Sequence, residues 1–370
     1  MESETPEATL ARRFRVQARS CRGLGSALYG DLMERAAEDV EGRGLLYSVL
    51  RGFETMPGPA ALALRLFGAV HRLVLSGDAP DLGRFYPSAG GTEHAGSQGA
   101  RAWPVFLSTV EANQRGCRAA VHHPPQTNEV GRSAALMPGY LRAHQATGLP
   151  LRILEVGASA GLNLHWDSFS YEIGVGTVIG DPQSPVCIPV HWYPEGLEAL
   201  LGAPAVSIGN PVAPVASREA CDRFPVDIST RDGALTLASY VWPDQMDRFA
   251  RLLGAVEIAR LSPVTVARAD AGEWLGRRLR HYSPGTCTVV AHSVFLQYLS
   301  EQDRSSLIDL IREAGHRATR EAPLAWLRME PAARAGRPNL AEVRLNLWPG
   351  GTETVVADAG FHGQPVLPPS

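Results

Sequence analysis

The stretch Leu154-Glu155-Val156-Gly157-Ala158-Ser159-Ala160-Gly161-Leu162-Asn163-Leu164 concentrates the residue types that could do chemistry. A short apolar run ends in small residues and gives way to a helix start, and two chemistries use such a turn. In one, Gly157, Ala158, Ser159 and Gly161 let the backbone approach a nucleotide-like ligand, the helix start around Asn163 presents its N–H groups, and Glu155 holds a polar part of the ligand. In the other, Ser159 is a nucleophile raised on a sharp turn between strand and helix. Such a turn also packs a strand against a helix with no ligand at all.

A nucleotide-type ligand needs an acceptor for its ribose hydroxyls, usually an acid at the end of the second strand. Asp222, in Arg218-Glu219-Ala220-Cys221-Asp222, fits if residues 174–214 are an insertion; Asp167 lies closer to the ordinary spacing. Asp270 and Ala271 follow a strand-like Val264 to Ala267. Asp270 is placed either to read a ligand ring or to cap the helix beginning near Gly272. His292 follows another strand, and histidine is the residue type suited to proton transfer at neutral pH, so it is a candidate base or ligand contact. In Gln126-Thr127-Asn128-Glu129-Val130-Gly131-Arg132, Asn128, Glu129 and Arg132 can share one helix face and point into a cleft, with Glu129 a second candidate base and Asn128 and Arg132 substrate contacts. Trp242, before Pro243 and Asp244, could wall a pocket.

The elements that must position these residues fall into two rhythms. From Leu10 to about Gly148 apolar residues recur at helical spacing, with Gly- and Pro-rich breaks such as 76–80 and 86–91, so residues 1–148 read as an all-helical domain. From 149 to 370 strands and helices alternate: Arg152 to Val156, Val264 to Ala267, Thr286 to Ala291 and Leu324 to Met329 as strands, Gly272 to Leu279 and Glu301 to Ala314 as helices. Glu342 to Leu347 and Thr352 to Ala357 read as a closing β-hairpin. The expected fold is α/β, a Rossmann-like doubly wound, mostly parallel sheet with a C-terminal hairpin.

The turn resembles the first motif of class I S-adenosylmethionine-dependent methyltransferases, E/D-x-G-x-G-x-G, and departs from it at Ser159, where the middle glycine would stand. The resemblance implies S-adenosylmethionine as cofactor across the carboxyl edge of the sheet, Asp270 at the adenine amino group, a small-molecule acceptor covered by the helical half, and His292 or Glu129 as base where the acceptor must lose a proton. The same turn reads as G-x-S-x-G, similar to the nucleophile elbow of α/β-hydrolases, with Asp270 and His362 completing the order Ser, Asp, His. That elbow follows earlier strands of its sheet, which the helical half does not supply. A module that binds S-adenosylmethionine or a nucleotide without turnover is the third reading. Over Gln126 to Arg132, Glu155 to Asn163, Asp222 to Asp227, Val241 to Gln245, His292-Ser293, Trp326 to Pro331 and Phe361-His362-Gly363, the chain resembles a bacterial domain-of-unknown-function family, DUF2332, which carries no activity with it.

Composition sets the outer bounds. Hydrophobic residues are 45 % and charged residues 20 % of the 370, and the net charge of −3 supplies no field to draw in nucleic acid or a membrane surface. Five scattered cysteines without a C-x-x-C pair read as reduced thiols rather than a metal site. No signal-like N-terminus and no run of about 18 apolar residues occurs, so the sequence points to a cytoplasmic protein.

Overall fold

A computed structural model describes residues 4–57, 61–93, 98–173, 177–190, 213–281, 283–332 and 340–369. The chain forms two compact units, one combining residues 1–127 with 230–250 and the other residues 128–229 with 251–370. Two features depart from a single break expected at Gly148, the earlier boundary after Thr127 and the return of residues 230–250 to the first unit, and each has a packing cause.

The first unit holds helices Pro6–Gly23, Ala27–Glu41, Leu62–Ser76, Gln98–Ala112, Gln114–Val121 and, from its returning segment, Arg231–Ser239, with no strand among its described residues. Thr5 caps the first helix by accepting the Ala8 N–H at 3.3 Å. Its core is aromatic: Tyr29 stands edge-on to Phe67 with centroids 5.1 Å apart, and Phe67 meets Phe106 at 4.8 Å. Residues 230–250 belong here because Tyr240 packs where a side chain at Gly68 would collide with its ring. Asp244 also accepts from the Ser26 hydroxyl and from the Leu28 N–H at 3.1 Å.

The second unit is built on strands β1 (Leu151–Val156), β2 (Ser170–Ile173), β3 (Thr177–Ile179), β4 (Cys187–Val190), β5 (Val215–Asp222), β6 (Val266–Arg268), β7 (Cys287–Ser293), β8 (Leu324–Pro331), β9 (Leu340–Trp348), β10 (Thr352–Gly360) and β11 (Val366–Leu367). Eight of them form one sheet in the order β11-β10-β9-β8-β7-β1-β5-β6. β6, β5, β1, β7 and β8 run parallel, while β9, β10 and β11 follow as antiparallel neighbours. Alternation along β1 sends Leu154 and Val156 into a core with Trp274, Val290, Ile311, Trp326 and Trp348, beneath helices Ala271–Arg278 and Glu301–Arg317. Glu155 therefore points to the opposite face.

That opposite face is covered by helix Ser133–Thr147, buried without interruption from Ser133 to Leu141. A helix apolar on all sides is a core helix, and Gly139 seats it where a Cβ would stand 2.3 Å from Leu327. This is why residues 128–148 join the sheet rather than the helical unit. A second difference follows the small-residue turn, where a 3-10 helix, Leu162–Ser168, broken at His165, takes the place of the expected α-helix. Residues Leu162 to Trp166 are all buried there, which leaves no solvent face for an amphipathic helix. Within the expected insertion at 174–214, β3 and β4 pair with β2 in a separate three-stranded sheet; residues 174–176 and 191–212 lie outside the described residues.

Replacing Asp244 with alanine removes the acceptor for a buried-end N–H and a hydroxyl, so the folded state should lose about 1–2 kcal/mol. Urea melts of Asp244→Ala against the parent check this; an unchanged midpoint would show that the contact adds nothing.

Candidate functional site

The carboxyl ends of β1, β5, β7 and β8 converge with residues 128–133. Gly157, Ser159 and Gly161 hold φ values of +68°, +55° and +74°, so the chain reverses with three left-handed residues within five, one of them a serine. This conformation is held from two sides. Ser159 N–H donates to Asp222 Oδ2 at 2.8 Å, while Ala160 and Leu162 N–H donate to Asn128 Oδ1 at 3.2 and 3.0 Å. Ala158 N–H reaches Cys221 O at 3.2 Å and Gly161 N–H reaches Ala158 O at 2.8 Å. Every amide from 158 to 162 thus has an acceptor inside the protein. The anion cradle expected of this turn is closed by the Asp222 and Asn128 side chains.

The 128–133 segment is stitched to the same edge. Asn163 donates to Glu129 O at 3.3 Å and accepts from Ser133 Oγ at 3.1 Å, and the Glu129 carboxylate caps Gly131 N–H at 3.2 Å. Arg132 donates to Phe361 O at 2.9 Å and to the Ser293 carbonyl and hydroxyl, both at 3.3 Å. Gly131 and Gly363 make this crossing possible. A Cβ at Gly131 would lie 2.4 Å from His362 O, and one at Gly363, where φ is +84°, 2.0 Å from Gly131 O. Asn128, Glu129 and Arg132 therefore hold the edge together by hydrogen bonds to separate segments, which differs from the single helix face pointing into a cleft expected of them.

His292 occupies a closed chain. Trp326 donates its indole N–H to His292 Nε2 at 3.0 Å, which places the ring proton on Nδ1, 2.7 Å from Glu330 Oε1. The same Glu330 oxygen accepts Phe295 and Leu296 N–H at 3.0 and 3.2 Å. Both nitrogens of His292 are committed and its side chain has no exposure, so the structure corrects its expected role as base: its lone pair faces an indole, not a cleft. Phe295 in turn lies over the turn, with its ring 2.3 Å from where a Gly157 Cβ would stand.

Glu155 differs from the other groups. It is 5 % exposed, and its Oε2 is buried with no hydrogen-bond partner among the described residues. Burial pushes its carboxyl from an ordinary 4.5 up to about 8; the charge of Asp222 adds to the rise and Arg132 opposes it. Glu330 Oε2 is likewise buried without a partner.

The remaining expected residues are dispersed. Asp270 caps its helix through Gly272 and Glu273 N–H at 2.9 and 3.3 Å and pairs with Arg223 at 2.9 Å, which holds its carboxyl below the usual range; Ala271 opens that helix. Asp167 is tied to Arg218 within β5. Trp242 sits in the core of the first unit beneath Arg248, 5.3 Å from its ring, so it walls no pocket of its own. Sequence reasoning missed Glu330 and Phe295. Glu330 carried the signal already used for Asp222, an acid at the carboxyl end of a parallel strand. Among the described residues no group of three or more His, Cys, Asp or Glu side chains could hold a metal, and no helix is long and apolar enough to cross a membrane.

With this geometry in place, comparison with known proteins gives one match. Residues 11–367 fit the family described as an uncharacterized protein conserved in bacteria, DUF2332. The chain belongs to the DUF2332 family. Neither a curated protein nor a solved structure matches it. Two of the seven stretches that carry the resemblance to DUF2332 in sequence, Gln126 to Arg132 and Phe361 to Gly363, contain the glycines Gly131 and Gly363 that cross at this edge.

The buried carboxyl of Glu155 makes stability pH-dependent with a definite sign. Its folded value lies above the unfolded one, so its contribution is fully present below about pH 4.5 and is lost as pH rises to about 8. Glu155→Gln cannot ionise. Its unfolding free energy relative to the parent should rise by roughly 2–5 kcal/mol between pH 4.5 and 8 and level off above. Paired denaturant melts at pH 5, 6.5, 8 and 9 measure the difference; a constant offset would refute it.

Proposed function

We propose that the second unit binds S-adenosylmethionine at the carboxyl edge of its sheet and transfers the methyl group to a small-molecule acceptor. The observation that carries this reading is the orphaned, buried carboxyl oxygen of Glu155 at the end of β1. Counting only the parallel strands in chain order, the sheet runs third, second, first, fourth, fifth; this order supports a Rossmann-like reading, in which ligands bind at the reversal point that β1 borders. The antiparallel β9 and β10 extend it as the closing hairpin.

The electrostatics select among ligands that use this fold. A dinucleotide needs free turn amides for its pyrophosphate, and here those amides are consumed. Asp222, joined by Glu155 once it releases its proton, makes the edge acidic, which disfavours phosphate and favours a ligand with positive charge and no phosphate. S-adenosylmethionine has a sulfonium and an ammonium, and when bound it supplies an already activated methyl group. The chain's own residues have the simpler task of alignment in a dry site, worth about 7–11 kcal/mol of barrier. Glu155 accepts from the ligand's ammonium, Asp222 and Asn128 keep the turn rigid, and Phe295 closes over Gly157. A proton leaving the acceptor goes to Glu330 Oε2, with His292 orienting that carboxylate.

The left-handed Ser159 within G-x-S-x-G favours a second reading, a serine hydrolase. Against it, Asp270 is spent on a cap and on Arg223, and Ser159 is 4 % exposed.

Two outcomes are expected. S-adenosylhomocysteine should bind by calorimetry with an affinity that rises about tenfold per pH unit between about pH 6 and 7, because Glu155 must release its proton to take the ammonium; Glu155→Gln should bind more weakly and lose that dependence. Absence of binding in the parent would refute the proposal. Ser159→Gly, which suits a φ of +55°, should bind as well as the parent, whereas loss of an esterase activity on this substitution would favour the hydrolase.

A further inference from the structure

The first unit contains a serine with the partner that Ser159 was expected to have. His71, on helix Leu62–Ser76, is fully buried. Its Nδ1 lies 3.1 Å from the carbonyl oxygen of Ser239 and its Nε2 lies 2.7 Å from Ser88 Oγ. A carbonyl oxygen can only accept, so the ring proton is on Nδ1 and the lone pair of Nε2 receives the Ser88 hydroxyl. This is a hydroxyl, a neutral imidazole and an orienting acceptor, in the order that activates a nucleophile.

The surroundings keep the ring in its basic form. Tyr86 packs edge-on at 5.4 Å between centroids, and the neighbouring Arg72 is neutralised by Asp232. Burial lowers the His71 pKa to about 4, so the imidazole is uncharged at neutral pH with its Nε2 lone pair free of a proton, and it is a weak base, which restricts the pair to acyl donors that need little proton removal. Ser88 is half-buried on the short 3-10 turn Pro87–Ala89, its N–H held by Pro243 O at 2.9 Å, and the space outside Gly90 is open. The turn also limits the chemistry. Ala89, Gly90 and Gly91 N–H all bond back to Tyr86 or Pro87 carbonyls, so they offer no donors to a developing oxyanion, and the acyl donor must bring a good leaving group.

We propose that Ser88 and His71 form a nucleophile and general-base pair that takes acyl groups from activated esters or thioesters. Ser88 Oγ forms a bond to the acyl carbon while its proton passes to His71 Nε2. The bond to the leaving oxygen or sulfur breaks with its electron pair, and His71 returns the proton to it. Water then attacks the acyl-serine by the same route, releasing the carboxylic acid and restoring the hydroxyl.

The test treats the full chain with a fluorophosphonate probe and with p-nitrophenyl acetate, followed by peptide mapping. Label on Ser88 is expected, together with an initial burst of nitrophenol. Ser88→Ala should lose both while circular dichroism shows it folded, with a melting temperature lowered only by the loss of one part-buried hydrogen bond, and Ser159→Ala should keep both. His71→Gln should react at least a hundredfold more slowly. Because that variant removes a buried ring, its fold is checked by circular dichroism, and the Ser88→Ala result stands without it. An unlabelled Ser88 in the folded parent, or label found on Ser159 instead, would overturn the proposal.

Discussion

The geometry of the second unit depends on how one turn disposes of its amides. A strand that ends in three left-handed residues exposes a row of N–H groups at the sheet edge, and a buried N–H without an acceptor costs about 1–3 kcal/mol. Asp222 and Asn128 remove that cost from opposite sides. Asp222 arrives with the neighbouring parallel strand, and Asn128 arrives with the segment that leads into the core helix. The turn therefore forms only when β5 is paired with β1 and residues 128–133 are docked, so local conformation and sheet topology are fixed together.

The same arrangement governs the charges of the edge. Once Asp222 is drawn to the turn, Glu155 on the adjacent strand has a carboxylate for a neighbour and almost no water, and its proton is retained until about pH 8. Arg132 is close enough to oppose the rise but is itself spread over Phe361 and Ser293. A buried acid with an unmatched oxygen is costly for folding alone, and it persists where a ligand meets it. The functional reading thus rests on a local conflict between folding and charge, not on the glycine pattern.

Much of the sheet was legible because its signals are local. Short apolar runs mark β1, β7 and β8, and the small residues at 157–161 mark the turn. What was illegible depended on contacts between distant segments. Helix Ser133–Thr147 looks like a continuation of the helical half until its apolar surface is seen to surround it, and Asp244 lies 218 and 216 residues from the Ser26 and Leu28 groups it accepts from. The role of His292 was misread for the same reason. Its position at a strand end suggested a base, but Trp326 and Glu330, which fix its proton, lie 34 and 38 residues away.

The two serines show how far a pattern can carry chemistry. Ser159 has the sequence context of a nucleophile and the strained φ that goes with it, yet its amide donates to the Asp222 carboxylate, which serves the turn. Ser88 has no recognisable context, since Tyr-Pro-Ser-Ala-Gly-Gly reads as a break between helices. Its neighbour His71 stands 17 residues earlier on a helix whose spacing only announces a core face. Reactivity of a hydroxyl depends on a lone pair within hydrogen-bonding reach and on a proton held elsewhere on the same ring. Both conditions are met across helices in the first unit, by a carbonyl from the returning segment and a histidine from the core, and neither leaves a periodic trace in the chain.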